Sequence, residues 1–329
     1  MSSPDVPVDD LDRRIIAALQ IDGRASWRRI ARVLGEPERT VARRGLRLLE
    51  NRLVTVTALV PSGDTVVVRL RCRPDATREA ALAVARRTDT IFTYVVSGSS
   101  DCVAELQCPP GRLADLMLED LPALPGLTEQ QVCPVLRYFR TVHEWHPGIL
   151  TPQEAAQLRR FPTPDDAVGV PEVELDPEER AIVAGLAQDG RRTHEELAAL
   201  AGVSEATARR RVEALSQAGV VSIRASVEPA LLGLPVEALL WLRVRPDALE
   251  RVGRLAVDSP LVRYAAVVTG EQQLLVHVTQ PSKDALLDHL AGASWAPHVE
   301  AVEVQYVVEP LKRSATPTPA LRRLLSQRA

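Results

Sequence analysis

Arginine dominates the chemistry this chain could do. Arg39, Thr40, Arg43, Arg44 and Arg47 fall at three- and four-residue spacings, so on a helix much of the set shares one face. Such a face suits nucleic acid: guanidinium groups neutralise phosphates and read guanine edges, and a short hydroxyl reaches either. Arg28 and Arg29, with Arg32, add charge just upstream. A comparable set follows in the second half, Ser204, Glu205, Thr207, Arg210 and Arg211. There Glu205 would repel phosphate but could accept from a cytosine amine. A run of arginines is equally the mark of a solvated helix face, so the elements that carry these residues decide between the two.

Other chemistries find little support. The histidines, His143, His146, His194, His277, His289 and His298, form no shared cluster in sequence. Cys72, Cys102, Cys108 and Cys133 show no C-x-x-C spacing and read as small buried hydrophobes rather than a zinc site. No phosphate-binding glycine loop, nucleophile elbow or metal-ligand spacing is present. No catalytic residue, metal or cofactor is expected.

The elements repeat. Asp22-Gly23-Arg24 recurs as Asp189-Gly190-Arg191, and Thr40-Val41-Ala42-Arg43-Arg44 as Thr207-Ala208-Arg209-Arg210-Arg211, both 167 residues on. Pro74-Asp75-Ala76 and Val95-Val96-Ser97-Gly98 recur 172 residues on, so a five-residue insertion separates two long registers. The chain is a tandem duplication of a two-part unit. The first part is helical. Leu11, Ile15, Ile16 and Leu19 recur at helical spacing, Asp22-Gly23 stops that helix, and a second helix runs from about Ser26 to Leu34. Gly35 turns, and a third helix runs from about Pro37 to Asn51. Residues 175–221 repeat this plan with Gly202 at the turn, Ser204 as cap and Gly219 as stop. Two short helices joined by a glycine turn are a helix-turn-helix, and inside that twice-repeated frame DNA contact is the favoured reading of the arginines.

The second part, 65–140 and again 235–312, alternates strands and helices in the order β-α-β-β-α-β. That order is a ferredoxin-like plait, whose open sheet face calls for a partner sheet. The expected class is therefore α+β: two winged helix-turn-helix domains, 1–60 and 175–230, and two plaits, 61–143 and 231–312. A proline-rich linker spans 144–174, with a short helix over 152–160 and Glu144-Trp145-His146 as its anchor. Residues 313–329 form a mobile tail.

These motifs, L-D-x-x-I-x-x-x-L, D-G-R, a turn glycine, T-V-x-R-R and a following plait, resemble the Lrp/AsnC (feast/famine) family of transcriptional regulators. The resemblance covers nearly the whole chain, twice. It implies double-stranded DNA as partner, a sensing and dimerising plait, homo-oligomerisation, and an amino-acid effector near a Gly-x-x-Asp hairpin. Carried over, that hairpin is Ser97, Gly98, Ser99, Ser100 and Asp101; a plain turn accounts for the same residues. In the second copy the aspartate has become Gln273, which puts an effector role there in doubt. The first copy departs at Pro37, where Ser204 stands in the second, and at Gly45, where Val212 stands. A mid-helix glycine costs about 1 kcal/mol against alanine and predicts a less rigid helix. Sirohaem decarboxylases share this architecture, sometimes as fused pairs, but their His-rich motif is not found here. A nucleoid-type architectural protein is the third reading.

Composition bounds these expectations. The chain has 329 residues, 46% hydrophobic and 25% charged, with a formal net charge of -3, so no global basic field advertises DNA. The signal is local. Residues 9–56 hold eleven arginines against seven acidic residues, whereas 175–224 hold seven against eight. The first headpiece is therefore expected to supply more of the phosphate attraction, and an operator with unequal half-sites follows. The polar, acidic N-terminus and the absence of a long apolar run point to the cytoplasm and no membrane.

Overall fold

The architecture is given by a computed structural model that describes residues 8–59, 64–142, 144–161 and 175–326. His143 and the linker stretch 162–174 lie outside the described residues. The elements run α1 (Asp10–Ile21), α2 (Trp27–Leu34), α3 (Glu38–Glu50), β1 (Val54–Leu59), β2 (Thr65–Cys72), α4 (Thr77–Arg86), β3 (Thr90–Val96) and β4 (Cys102–Gln107). Next come α5 (Leu113–Asp115, continued as a wider π turn over Leu116–Asp120), β5 (Leu127–Arg140) and α6 (Pro152–Leu158). The second copy supplies α7 (Pro177–Gln188), α8 (His194–Ala201), α9 (Glu205–Gln217), β6 (Ser222–Val227) and β7 (Val236–Arg243). It continues with α10 (Leu249–Val257), β8 (Val262–Val268), β9 (Leu274–Gln280), α11 (Lys283–Ala291), β10 (Ala301–Arg313), β11 (Thr316–Pro317) and α12 (Pro319–Ser326).

The chain divides into two compact units, and each gathers equivalent parts of both copies. The first holds residues 8–59, 146–161 and 175–233; the second holds 64–145 and 234–326, among those described.

In the headpiece unit, helix ends follow local chemistry. Asp9 and Asp12 form a capping box on α1, and Asp176 and Glu179 form the same box on α7. Gly35 and Gly202 take φ of 71° and 68° at the helix-turn-helix corner, a left-handed conformation that glycine adopts without steric cost. The wing position holds one strand from each copy: β1 and β6 pair antiparallel from Val54↔Val227 to Leu59↔Ser222. Linker helix α6, capped by Thr151 and Glu154, packs here with Leu158 fully buried.

The plait unit shows why a lone plait would be incomplete. On β2, Val66, Val68 and Leu70 face α4, while Val67 faces the other way into a core shared with Phe92, Tyr94, Trp241, Tyr264 and Leu275 of both copies. The two sheets thus cover each other's open face, as expected. They also exchange edges. The first part of β5 pairs β2 and the last part pairs β8; the first part of β10 pairs β7 and the last part pairs β3. The pairings of eight strands therefore run in a closed circuit, β10-β3-β4-β2-β5-β8-β9-β7 and back to β10. Arg140 fastens one crossing by donating to the Ser259 and Val262 carbonyls at 2.8 Å, and Trp145 Nε1 donates to the Pro260 carbonyl at 2.9 Å.

The tail corrects an expectation. Rather than being mobile, residues 313–326 continue into β11 and α12. Leu321 is buried and joins Leu311, Leu324 and Leu325 against the core of the first plait. The apolar residues of ALRRLLSQ are spaced for one helical face, and burying that face offsets the cost of ordering the segment. All four cysteines are buried and free, as expected of small core residues.

Candidate nucleic-acid interface

In the first headpiece α2, the Gly35 corner and α3 form the helix-turn-helix. Val41 and Leu48 point inward, and Arg39 and Arg43 lie exposed on the opposite side of α3. Arg28 and Arg32 are exposed on α2, and Thr40 is half-buried. Among the described residues Arg28, Arg32, Arg39 and Arg43 have no ion pair, so their guanidinium groups are available to phosphate or base edges. Gly45 is not a point of looseness. A Cβ there would lie 2.3 Å from the Trp27 ring, so the missing side chain is the space the indole occupies.

Three of the predicted DNA contacts are engaged elsewhere. Arg44 donates to Asp9 Oδ2 at 2.6 Å and Asp12 Oδ1 at 3.2 Å, and Arg47 donates to Asp12 Oδ2. The Asp12 side chain is 1% exposed, so its charge requires these partners. The Asp9 carboxyl is held below its ordinary range, first by the Asp12 amide and then by Arg44. Arg29 bridges Asp22 Oδ2 at 3.3 Å and the Gln157 carbonyl of α6 at 3.0 Å. These arginines staple α3 to α1, and α2 to α6.

The second headpiece repeats the staple. Arg211, the counterpart of Arg44, pairs with Asp176, the counterpart of Asp9, with Glu178 and Glu179 nearby. Arg211 and the Glu179 amide pull the Asp176 carboxyl down to about 2. Ser204 Oγ accepts from the Thr207 amide at 3.2 Å and sits 2.9 Å from Thr207 Oγ1, so both are committed to the helix start. Glu205 and Arg210 are exposed. So is Arg209, which sequence spacing passed over because its first-copy counterpart is Ala42. Glu195 and Glu196 stand where Arg28 and Arg29 stand in the first copy, so the electrostatic inequality of the headpieces is carried by surface residues.

The Gly-x-x-Asp hairpin is bonded within the plait unit. Gly98 takes a φ of 103°. Ser97 Oγ accepts from the Tyr306 amide at 3.1 Å, and Ser100 Oγ meets Gln305 Nε2 at 2.9 Å. Ser99 contacts Arg69 and Glu303. Asp101 Oδ2 accepts from the Cys72 amide at 2.8 Å. At the matching place in the second copy, Gln273 Oε1 accepts from the Val244 amide at 3.0 Å. The change from aspartate to glutamine therefore preserves a backbone anchor, because both residues offer a carbonyl-type oxygen at the same point.

Between the sheets lie two buried polar clusters at equivalent positions. Glu105 accepts from Tyr138 at 2.6 Å and Tyr264 at 3.0 Å, and burial pushes its carboxyl up to about 7. His277, its counterpart, lies 3.2 Å from Glu237, and burial pushes the imidazole down to about 4. Arg313 forks onto Glu237 at 2.6 and 2.9 Å. Among the described residues no group of three or more His, Cys, Asp or Glu is placed to hold a metal ion. No helix of the described residues is long and apolar enough to cross a membrane.

The AsnC-type helix-turn-helix domain is matched twice, over residues 8–49 and 175–216. The chain is 30% identical over 127 residues to an uncharacterized HTH-type transcriptional regulator of Pyrococcus furiosus, a match covering 36% of this chain and 86% of that protein. It is 30% identical over 148 residues to the leucine-responsive regulatory protein of Rhizobium meliloti, covering 43% of this chain and 93% of the relative. Among solved structures, the siroheme decarboxylase NirDL shares the fold over nearly the whole chain, with a TM-score of 0.61, 17% identity, and coverage of 97% of this chain and 99% of that one.

Proposed function

The chain belongs to the Lrp/AsnC family of helix-turn-helix transcriptional regulators, and from that membership we propose that it binds sequence-specific sites on double-stranded DNA as a covalent pseudo-dimer. One observation carries the reading. The two AsnC-type headpieces sit in one unit, each with exposed arginines on its third helix: Arg39 and Arg43 on α3, Arg209 and Arg210 on α9. A symmetric dimer reads two like half-sites about one helical turn apart. Here the halves differ: the first headpiece adds Arg28 and Arg32, and the second presents Glu195 and Glu205. The operator therefore has unequal half-sites, the first headpiece supplying more of the salt-dependent affinity. Selection from a random duplex library followed by footprinting tests this. A perfect palindrome bound by identical headpieces of two chains would refute it.

An amino-acid effector at Ser97–Asp101, and assembly of several pseudo-dimeric chains, belong to the same proposal. A ligand at the hairpin would meet side chains that already hold the plait together, and so would exchange internal hydrogen bonds for its own. Calorimetric titration of wild type and Asp101→Ala with the common amino acids tests the effector; no heat from any of them removes it.

The whole-chain likeness to a siroheme decarboxylase favours a second, enzymatic reading. Against it, Phe92, Tyr94, Trp241 and Tyr264 fill the space between the sheets, and Arg69 and Arg313 there are held by Glu303 and Glu237. A tetrapyrrole substrate would have to displace them. Spectral titration with sirohaem distinguishes the readings: no shift supports the regulator, and a saturating shift supports the enzyme.

A further inference from the structure

The repeated Asp-Gly-Arg motif supplies none of the exposed arginines proposed to meet DNA. We propose that it is a reciprocal lock between the headpieces, with Arg24 and Arg191 as positioning residues that fix the separation of the recognition helices α3 and α9. Its consequence for half-site spacing rests on the DNA-binding reading above.

Each residue of the motif has its own part. Asp22 Oδ1 accepts from the Arg24 amide at 3.0 Å, and Asp189 Oδ1 from the Arg191 amide at 2.8 Å, which shapes the turn in each copy. The glycines allow close approach to the opposite strand. The Gly23 amide donates to the Ile223 carbonyl at 3.0 Å, and the Gly190 amide to the Val56 carbonyl at 2.8 Å. A Cβ on Gly23 would lie 2.7 Å from Val56 and 2.9 Å from the Arg224 Cα; one on Gly190 would lie 2.8 Å from Ile223. The arginines cross over. Arg24 Nη1 donates to the Gly190 and Arg192 carbonyls, each at 2.8 Å, and Arg191 Nη1 donates to the Gly23 carbonyl at 2.7 Å.

Both guanidinium groups then reach the first residue of the opposite second helix. Arg191 stacks on Trp27 with 4.6 Å to the ring centroid, and Arg24 Nη2 lies 3.4 Å from His194 Nε2. Trp27 and His194 occupy the same place in their copies. Sliding or rotating one headpiece against the other breaks both crossings together. Each guanidinium spans two carbonyls at once, Arg24 through Nη1 alone and Arg191 through its Nη1/Nη2 fork onto Gly23 and Ala25, and methionine of similar length cannot donate to either.

The test uses the full chain labelled at Glu50→Cys and Gln217→Cys, equivalent exposed positions at the ends of α3 and α9, the native cysteines being buried. Pulsed electron-spin distance measurement, without DNA, is expected to give one narrow distribution. In Arg24→Met/Arg191→Met it is expected to broaden or split; Arg24→Lys/Arg191→Lys, which keeps the charges but not the fork, broadens it less. An unchanged distribution in both variants overturns the lock. Unlabelled protein is then assayed on duplexes with two half-sites at varied spacing. The methionine variant is expected to lose the preference for one spacing and about tenfold or more in two-site affinity, while keeping its affinity for a single half-site. A retained single spacing overturns the positioning role. Failure of wild type to bind any duplex, with distances that still respond to the variants, overturns the DNA reading and leaves the lock standing.

Discussion

Arg43 and Arg44 are neighbours on α3 and identical in type, yet they should fail in opposite ways. Arg43 is exposed and has no ion pair among the described residues, so Arg43→Ala removes a cation from the proposed DNA face. If it meets one phosphate, the slope of log K against log salt falls by about 0.9, and stability moves by no more than about 0.5 kcal/mol. Arg44→Ala removes two charge-assisted hydrogen bonds, 2.6 Å to Asp9 and 3.2 Å to Asp12. The Asp9 bond is half exposed and contributes little. The Asp12 carboxylate is 1% exposed and keeps Arg47 and the Asp9 amide but loses a charged partner, so the expected loss is about 1.5–3 kcal/mol. The salt slope stays at the wild-type value. Denaturant unfolding gives the stabilities, and fluorescence anisotropy across a salt series gives the slopes. Equal slope losses in the two variants, or an Arg44→Ala protein as stable as wild type, would refute the division of labour.

Three further outcomes are expected. Gly45→Val places a side chain against the Trp27 ring, 2.3 Å from the Cβ position, and should cost about 1–3 kcal/mol. Adding Trp27→His, which recreates the second copy's His194 and Val212, should recover much of it in thermal unfolding. Glu105 has its carboxyl raised from 4.5 to about 7, so the folded protein keeps a proton that the unfolded chain releases. Stability is full below pH 4.5 and lost as pH rises to 7, by about 3 kcal/mol. Glu105→Gln should therefore gain on wild type progressively across that window, and a pH-independent difference in unfolding free energy would argue otherwise. Asp101→Asn retains an oxygen for the Cys72 amide and should unfold near wild type, whereas Asp101→Ala should lose about 1–2 kcal/mol; similar losses in both would exclude the backbone-anchor role.

Much of this protein was legible in its sequence because the relevant physics is local. Helical periodicity, caps such as Ser204 and Asp9, corner glycines at 35 and 202, and alternation along the plait strands each act within a few residues. The constant offsets of the repeat then placed the modules without any knowledge of contacts, and the inequality of the headpieces came from counting charges. Pairings made across long separations were not legible. Arg43 and Arg44 are the same residue type on the same helix, and only the packing of α1 against α3, which brings Asp9 and Asp12 alongside, takes one of them away from solvent. By type alone Gly45 is a weak point in a helix, yet Trp27 fills its space; by type alone Gln273 is a lost aspartate, yet its side chain holds the Val244 amide. The edge exchange of β5 and β10 and the docking of α12 likewise depend on strands from distant parts of the chain meeting. Sequence by itself determined which elements form and which residues they offer. The tertiary structure decided which of those residues are consumed in holding the fold, because a side chain's availability depends on neighbours that only folding brings within reach.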